Sequence, residues 1–435
     1  MTYKEGTDHM RVRRGWHVPR AAAGVALALV LFACSSDSKT STSAGGSSSS
    51  SGGTSSAALQ DPAFKIGLVV PTGTQTVNEP SSLASAQIAV DEVNAAGGIK
   101  GHKVELVTCN TKNDANETAA CAQQLVDAKV IGSGPNYSLT GGAQTIMDIL
   151  RPANIVSIGI TPSNLSEYSD PSAFLIDPGR VGLYSTWPQL CKDAGGSSMF
   201  IPHGDAPQVK PLIDELKAAA SQVGIKFAGE STSATAATDF SPAAQQAKDS
   251  GADCVALAYD PRSAGLFIQA AEGLGMKPTY QYLPDTLSPD QVQQIGADAA
   301  GRIRMASGIP ALGNEANVPD LHKLYQALDA KLAGGDSNAD PKFRNVRTVL
   351  SYLAVKSIAK VSQDLPTVDA KSVFDALNNA KNLDVGIIPP WTPGQKGPKC
   401  FDRLSTTSVY YMTYKGGKTS PIDDKQHPLS PAPIC

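Results

Sequence analysis

The chain has 435 residues, of which 41% are hydrophobic and 18% charged, with a formal net charge of −3. Its charges are interspersed with no basic stripe, so no nucleic-acid partner is expected. About 370 residues remain beyond the low-complexity N-terminal region, more than one compact domain usually holds.

The N-terminus carries basic residues (Arg11, Arg13, Arg14, Arg20), then an apolar stretch from Ala21 to Ala33 that falls short of the ~20 residues that span a bilayer. The run Leu31-Phe32-Ala33-Cys34 resembles a bacterial lipoprotein signal, in which the cysteine becomes the lipidated first mature residue. Residues 1–33 are therefore read as a signal peptide, with a compact version starting at Met10. Cys34 and residues up to 60 form a lipidated tether, since 19 of the 22 residues from Ser35 to Ser56 are Ser, Gly or Thr and bury too little apolar surface to order. Residues 1–33 hold five basic and two acidic side chains, which leaves the remainder near −6. The expectation is an exported protein, anchored by lipid to the outer face of the bacterial cytoplasmic membrane.

From Phe64 the pattern alternates. Phe64–Val70 reads as a strand, followed by a helix capped by Ser81 or Ser82 with Leu83, Ala86, Val90 and Val93 on one face, stopped by Gly97-Gly98. Val104–Val107, Val130-Ile131, Ile155–Ile158 and Phe174–Ile176 continue as strands, with helices at Thr118–Val126 and Leu139–Leu150 between them. After Pro178-Gly179 the grammar restarts: a helical stretch Val181–Lys192 broken at Pro188, strands at Met199–Ile201, Ile225–Phe227, Cys254–Tyr259 and Tyr280–Leu283, and helices at Val209–Val223, from Asp239 to Ser250, and Ser263–Leu274. Two later helices, Leu321–Leu332 and Val349–Val361, have no strands of their own and return to the first unit. The expected fold class is α/β: two Rossmann-like lobes with mostly parallel sheets and right-handed crossovers, joined by three hinge crossings. The expected division is lobe I at 61–178 and 304–386, and lobe II at 179–303 with a return and tail at 387–435.

Besides Cys34 there are six cysteines, Cys109, Cys121, Cys191, Cys254, Cys400 and Cys435, an even number that favours disulfides in an exported protein. Proximity favours Cys109 with Cys121, and grouping by lobe then places Cys191 with Cys254 and Cys400 with Cys435. A zinc site is the runner-up to disulfides, disfavoured because no cysteine pair has the two-to-four-residue spacing of structural zinc ligands. No metal and no cofactor are expected. Ligands of open parallel sheets bind beyond the carboxyl ends of strands. Three loops qualify: Thr72-Gly73-Thr74, Asn136-Tyr137-Ser138 and Gly159-Ile160-Thr161, whose hydroxyls and backbone N–H groups suit a small carboxylate. Catalytic strings fail: Gly132-Ser133-Gly134 is followed by Pro135, Gly417-Lys418-Thr419 by Pro421, and no Gly-x-Ser-x-Gly elbow occurs. His203 beside Asp205 is the one suggestive acid/base pair, and Asp205 also counts among the candidate ligand contacts.

The segment Asp91-Glu92-Val93-Asn94-Ala95-Ala96-Gly97-Gly98-Ile99-Lys100-Gly101 resembles a helix end of the branched-chain amino-acid binding protein family, the type I periplasmic solute-binding proteins of ABC importers. Further echoes follow in order: Ser157–Thr161, Thr238-Asp239-Phe240-Ser241-Pro242 and Trp391-Thr392-Pro393-Gly394. The resemblance implies that Ser138, Gly159 and Thr161 grip a ligand's carboxylate and ammonium from one lobe. It implies that Tyr259 and Asp285 close on the ammonium from the other, while the family's second far-lobe tyrosine falls near Ala206-Pro207 and is missing. The function it implies is a monomeric, lipid-anchored, non-enzymatic solute-binding protein. Such a protein captures a small polar metabolite and delivers it to ABC permease and ATPase subunits. A sensing module of the same fold is the alternative, and a hydrolase using His203 and Asp205 a more distant one.

Overall fold

A computed structural model describes residues 58–430 apart from 75–76, 139–141, 163–164, 206–208, 235 and 285. The signal segment, Cys34 and the tether therefore lie outside the described residues, as do Asp285 and Cys435.

The first sheet is assembled from β1 (Gln60–Val69), β2 (His102–Cys109), β3 (Gly132–Ser133), β4 (Ser157–Ile158) and β5 (Ala173–Phe174). They lie in the order β2-β1-β3-β4-β5 and pair in parallel throughout. Between them run α1 (Pro80–Ala95), α2 (Ala115–Asp127), α3 (Gly142–Leu150) and α4 (Leu165–Ser169). Neither Ser81 nor Ser82 caps α1. Pro80 starts it at the first helical position, where a missing N–H costs nothing, and both serines are buried. Ser81 Oγ instead donates to Phe343 O at 2.7 Å.

The second sheet uses β6 (Ser198–Gly204), β7 (Lys226–Ser233), β8 (Cys254–Ala256), β9 (Thr279–Gln281) and β10 (Ile303–Ser307). Its helices are α5 (Gly179–Asp193), α6 (Lys210–Val223), α7 (Ser241–Ser250), α8 (Pro261–Gly273), α9 (Pro289–Ile295) and α10 (Ala297–Gly301). The helix α5 runs on through Pro188, where the sequence suggests a break. β10 belongs to this sheet, so the crossing expected at 303/304 falls at 307/308. The chain then makes α11 (Pro319–Ala333), α12 (Val346–Ser362) and α13 (Ala370–Asn379), whose apolar faces share one core with β1 and α1. An antiparallel hairpin, β11 (Ser408–Lys415) and β12 (Lys418–Pro428), ends the described chain at the edge of the second sheet.

Read from its own first strand, the second sheet repeats the order of the first: β7-β6-β8-β9-β10 matches β2-β1-β3-β4-β5. Both are doubly wound orders with a switch point beside the first strand, where strand order reverses and a crevice opens. Three crossings join the sheets and are tied together. The buried Asp177 carboxylate accepts from Gly179 N at 3.0 Å and Gly308 N at 2.9 Å. Thr406 Oγ1 donates to Ile176 O at 2.7 Å and Ser405 Oγ to Leu175 O at 3.0 Å. Burial pushes the Asp177 carboxyl up, against its donors from Gly308, Gly179 and Ser307 and the charge of Arg347.

Disulfides join Cys109 to Cys121 and Cys191 to Cys254, with Cα separations of 5.3 and 5.9 Å. The second sits over Gly196, where a Cβ would lie 2.5 Å from Cys254 Sγ, so only glycine fits. Cys400 is also disulfide-bonded.

Candidate functional site

A cavity of about 240 Å³ opens between the two sheets at their carboxyl ends. One wall comes from the first lobe: Val77, Asn78 and Glu79 after β1, Thr161 after β4, and Asn345, Val346 and Arg347 at the start of α12. The opposite wall is Arg180 and Leu183 of α5, Pro261 at the start of α8, and Leu283, Pro284 and Thr286 after β9, with Asp177 of the hinge between them.

The charged groups are arranged unequally. Glu79 is 2% exposed, and both its oxygens are taken: Oε1 by Arg347 Nη1 and Oε2 by Asn345 Nδ2, each at 2.8 Å. The Arg347 guanidinium lies over the ring of Tyr137, 4.0 Å from its centroid, and its Nε has no hydrogen-bond partner. Arg180 is half-buried and its backbone N–H donates to Pro162 O. Its guanidinium has no ion pair or hydrogen bond among the described residues.

Of the residues singled out from sequence, Thr161 lines the cavity. Tyr137 supports it from behind, as the platform for Arg347. Thr74 does not line it: its hydroxyl donates to Val77 O and accepts from Asn113 Nδ2, which folds its loop locally. Ser138 is buried with Oγ 2.6 Å from Thr118 Oγ1 of α2. Gly159 has φ +73°, a conformation that favours glycine, and its N–H is spent on Phe174 O at 2.8 Å. Ile160 is a core residue, fully buried. Tyr259 packs edge-on to Phe240 and bonds Ser233 Oγ at 2.7 Å; burial raises its phenol. Asp205 is exposed, with its N–H on Ser233 O at 2.8 Å. The ring nitrogens of His203 face Gly204 O at 3.0 Å and Thr232 Oγ1 at 3.3 Å, so His203 and Asp205 do not form the suggested acid/base pair. Asp285 lies outside the described residues, between Pro284 and Thr286 of the far wall. Among the described residues no group of three or more His, Cys, Asp or Glu is placed to hold a metal ion.

Sequence reasoning did not find Glu79, Asp177, Arg180, Asn345 or Arg347. A signal existed for the arginines: each is the second residue of its helix, where the positive end of the helix dipole disfavours a cation.

Two lobes of repeated topology, tied at a hinge around one cleft, define a two-lobed binding protein. The chain belongs to the periplasmic binding protein family, whose description matches residues 63–418. A Leu/Ile/Val-binding protein homologue of Brucella melitensis is 25% identical, over 76% of this chain and 87% of that protein. Among solved structures, a fatty acid ABC transporter substrate-binding protein from Thermomonospora curvata superposes with a TM-score of 0.70 at 15% identity, covering 85% of this chain and 94% of that one. A branched-chain amino acid transporter substrate-binding protein of Streptococcus pneumoniae, solved with isoleucine, gives 0.64 at 20% identity, covering 84% and 100%. Among the described residues no helix is long and apolar enough to cross a membrane.

Proposed function

We propose that this chain is an extracytoplasmic, lipid-anchored solute-binding protein that captures a small metabolite between its lobes and delivers it to an ABC importer. The observation that carries this reading is the cleft, whose two walls come from different lobes while its floor is the hinge carboxylate Asp177. A solute bound to one wall gains the other only when the lobes close, and closure expels water and presents one shape to a permease. The ligands for which its relatives are named, branched-chain amino acids for some and a fatty acid for another, share a carboxylate and an aliphatic body. That shared chemistry suits walls that combine arginines with Val77, Leu183, Pro261, Leu283 and Val346.

Anchoring rests on Cys34 and its flanks, and the Ser/Gly tether gives the lobes reach to the permease. In cells, Cys34→Ala should release the protein from membranes or leave it unprocessed, and uptake of its solute should fall. Membrane retention of a cleaved Cys34→Ala protein, with no acyl mass on the wild type, would contradict the anchor. Unchanged solute uptake in cells lacking the chain would contradict the transport role.

A further inference from the structure

The cleft holds an imbalance that the family's function does not explain. Four helices begin at it: α1 behind Glu79, α5 at Gly179, α8 at Pro261 and α12 behind Asn345, and each directs the positive end of its dipole there. Two arginines add to the same sign. Arg347 is neutralised by Glu79, but Arg180 has no carboxylate among the described residues, although it stands in the first turn of α5 where a cation is disfavoured. A half-buried guanidinium without a partner, in a field of four dipoles and a second arginine, is costly unless an anion joins it. The described acids are already committed. Glu79 gives both oxygens to Arg347 and Asn345, and Asp177 holds Gly179 N and Gly308 N. Among the described residues, a ligand ammonium placed in this cavity would meet cationic groups and no uncommitted carboxylate.

The rest of the wall is apolar or carries small hydroxyls. The cavity of about 240 Å³ is small, which suits a compact aliphatic body. We infer that the ligand is a small aliphatic monocarboxylate without an amino group, its carboxylate forked on Arg180 and its chain against Leu183, Leu283 and Val346. This rests on the solute-binding reading and narrows it. It moves the carboxylate anchor from the hydroxyl loops of the first lobe, where Ser138 and Gly159 are spent on internal bonds, to a guanidinium of the second. Arginine suits the task because its planar fork meets both oxygens of a carboxylate, which a lysine cannot do.

The test is isothermal titration of the full chain at pH 7 with three probes of one carbon skeleton: 4-methylpentanoate, its amide 4-methylpentanamide, and leucine. The carboxylate should bind saturably, and the amide and leucine should each bind at least tenfold more weakly. Arg180→Gln should weaken 4-methylpentanoate by about 10- to 150-fold, the span of a charge-assisted hydrogen bond. Arg180→Lys should fall between, with charge but no fork. The ligand-free melting temperature should rise in Arg180→Gln, which removes a cation from the N-terminal turn of α5, and should stay near wild type in Arg180→Lys, which keeps it. Equal affinity for acid and amide, or an unchanged Arg180→Gln, would overturn the anchor. Leucine binding more tightly than the acid, and losing affinity in Asp285→Asn, would overturn the amine-free class while leaving the solute-binding function standing. Binding of none of the three would also overturn the inference, while thermal unfolding against a wider panel of solutes judges the solute-binding function separately.

Discussion

At the scale of single residues the cleft is organised by one ion pair, a buried Glu79 with a partly buried Arg347. Glu79, just before α1, and Arg347 of α12 are 268 residues apart in sequence, and their contact at 2.8 Å sets the near wall of the cavity. Removing the Glu79 charge leaves the Arg347 guanidinium largely desolvated without compensation. Glu79→Gln should therefore lower stability by about 3 kcal/mol in urea unfolding of the ligand-free chain. A loss under about 1 kcal/mol would show that Arg347 is satisfied elsewhere. The same scale shows what the sequence could reveal. Thr161 was legible because a hydroxyl just past a strand is where doubly wound sheets hold ligands. Ser138 and Tyr259 fit that rule equally well, yet their hydroxyls turn to Thr118 and Ser233. Loop position is readable from the order of elements; the direction of a side chain within the loop depends on neighbours distant in sequence.

At the scale of elements, most helices stood out from the sequence, and so did the short strands of the first lobe, as apolar runs: β4 and β5 overlap the strands expected at Ile155–Ile158 and Phe174–Ile176. Their bounds were less legible, and β3 pairs at Gly132–Ser133, just past the expected Val130-Ile131, because two residues are too few for alternation to show. The hairpin strand β12 was invisible because Lys418–Pro428 is polar and carries Pro421, which a sheet tolerates only at its edge, where β12 lies. The far lobe is also bound by a polar knot in which Arg302 grips both oxygens of Glu272, at 2.7 and 2.8 Å, with Lys277 and Tyr280 donating to the same carboxylate. Burial alone would raise the Glu272 carboxyl, but the bonds from Arg302, Lys277 and Tyr280 outweigh it and hold the group below the usual value of 4.5. A carboxyl lowered on folding gives stability that is present above its unfolded value and is lost as pH falls through the folded one. Glu272→Gln should cost about 1.5–3 kcal/mol at pH 7, and the gap to wild type should close as pH drops below 4.5. Urea titrations of both proteins at pH 7 and in that acid range check it; a pH-independent gap would contradict the assignment.

At the scale of the whole molecule, the α/β class and the return of the two late helices to the first core were legible because strand and helix patterns alternate and then stop alternating. What composition did not disclose is that one strand order is used twice, so that two switch points face one another across a hinge. The hinge is narrow and polar. Asp177, Ser405 and Thr406 tie three crossings by hydrogen bonds that need not break when the lobes swing about them. The central claim is that this geometry captures a small solute. The most direct measurement is thermal unfolding of the full chain against a panel of amino acids, amides, small aliphatic acids and aromatic acids. A compound that binds only the folded cleft should raise the melting temperature with concentration, adding about 2.7 kcal/mol of stability at 100 times its dissociation constant. The account predicts such a saturable rise for at least one small carboxylate, reduced in Arg180→Gln. A panel in which no compound of any class shifts the transition would contradict it.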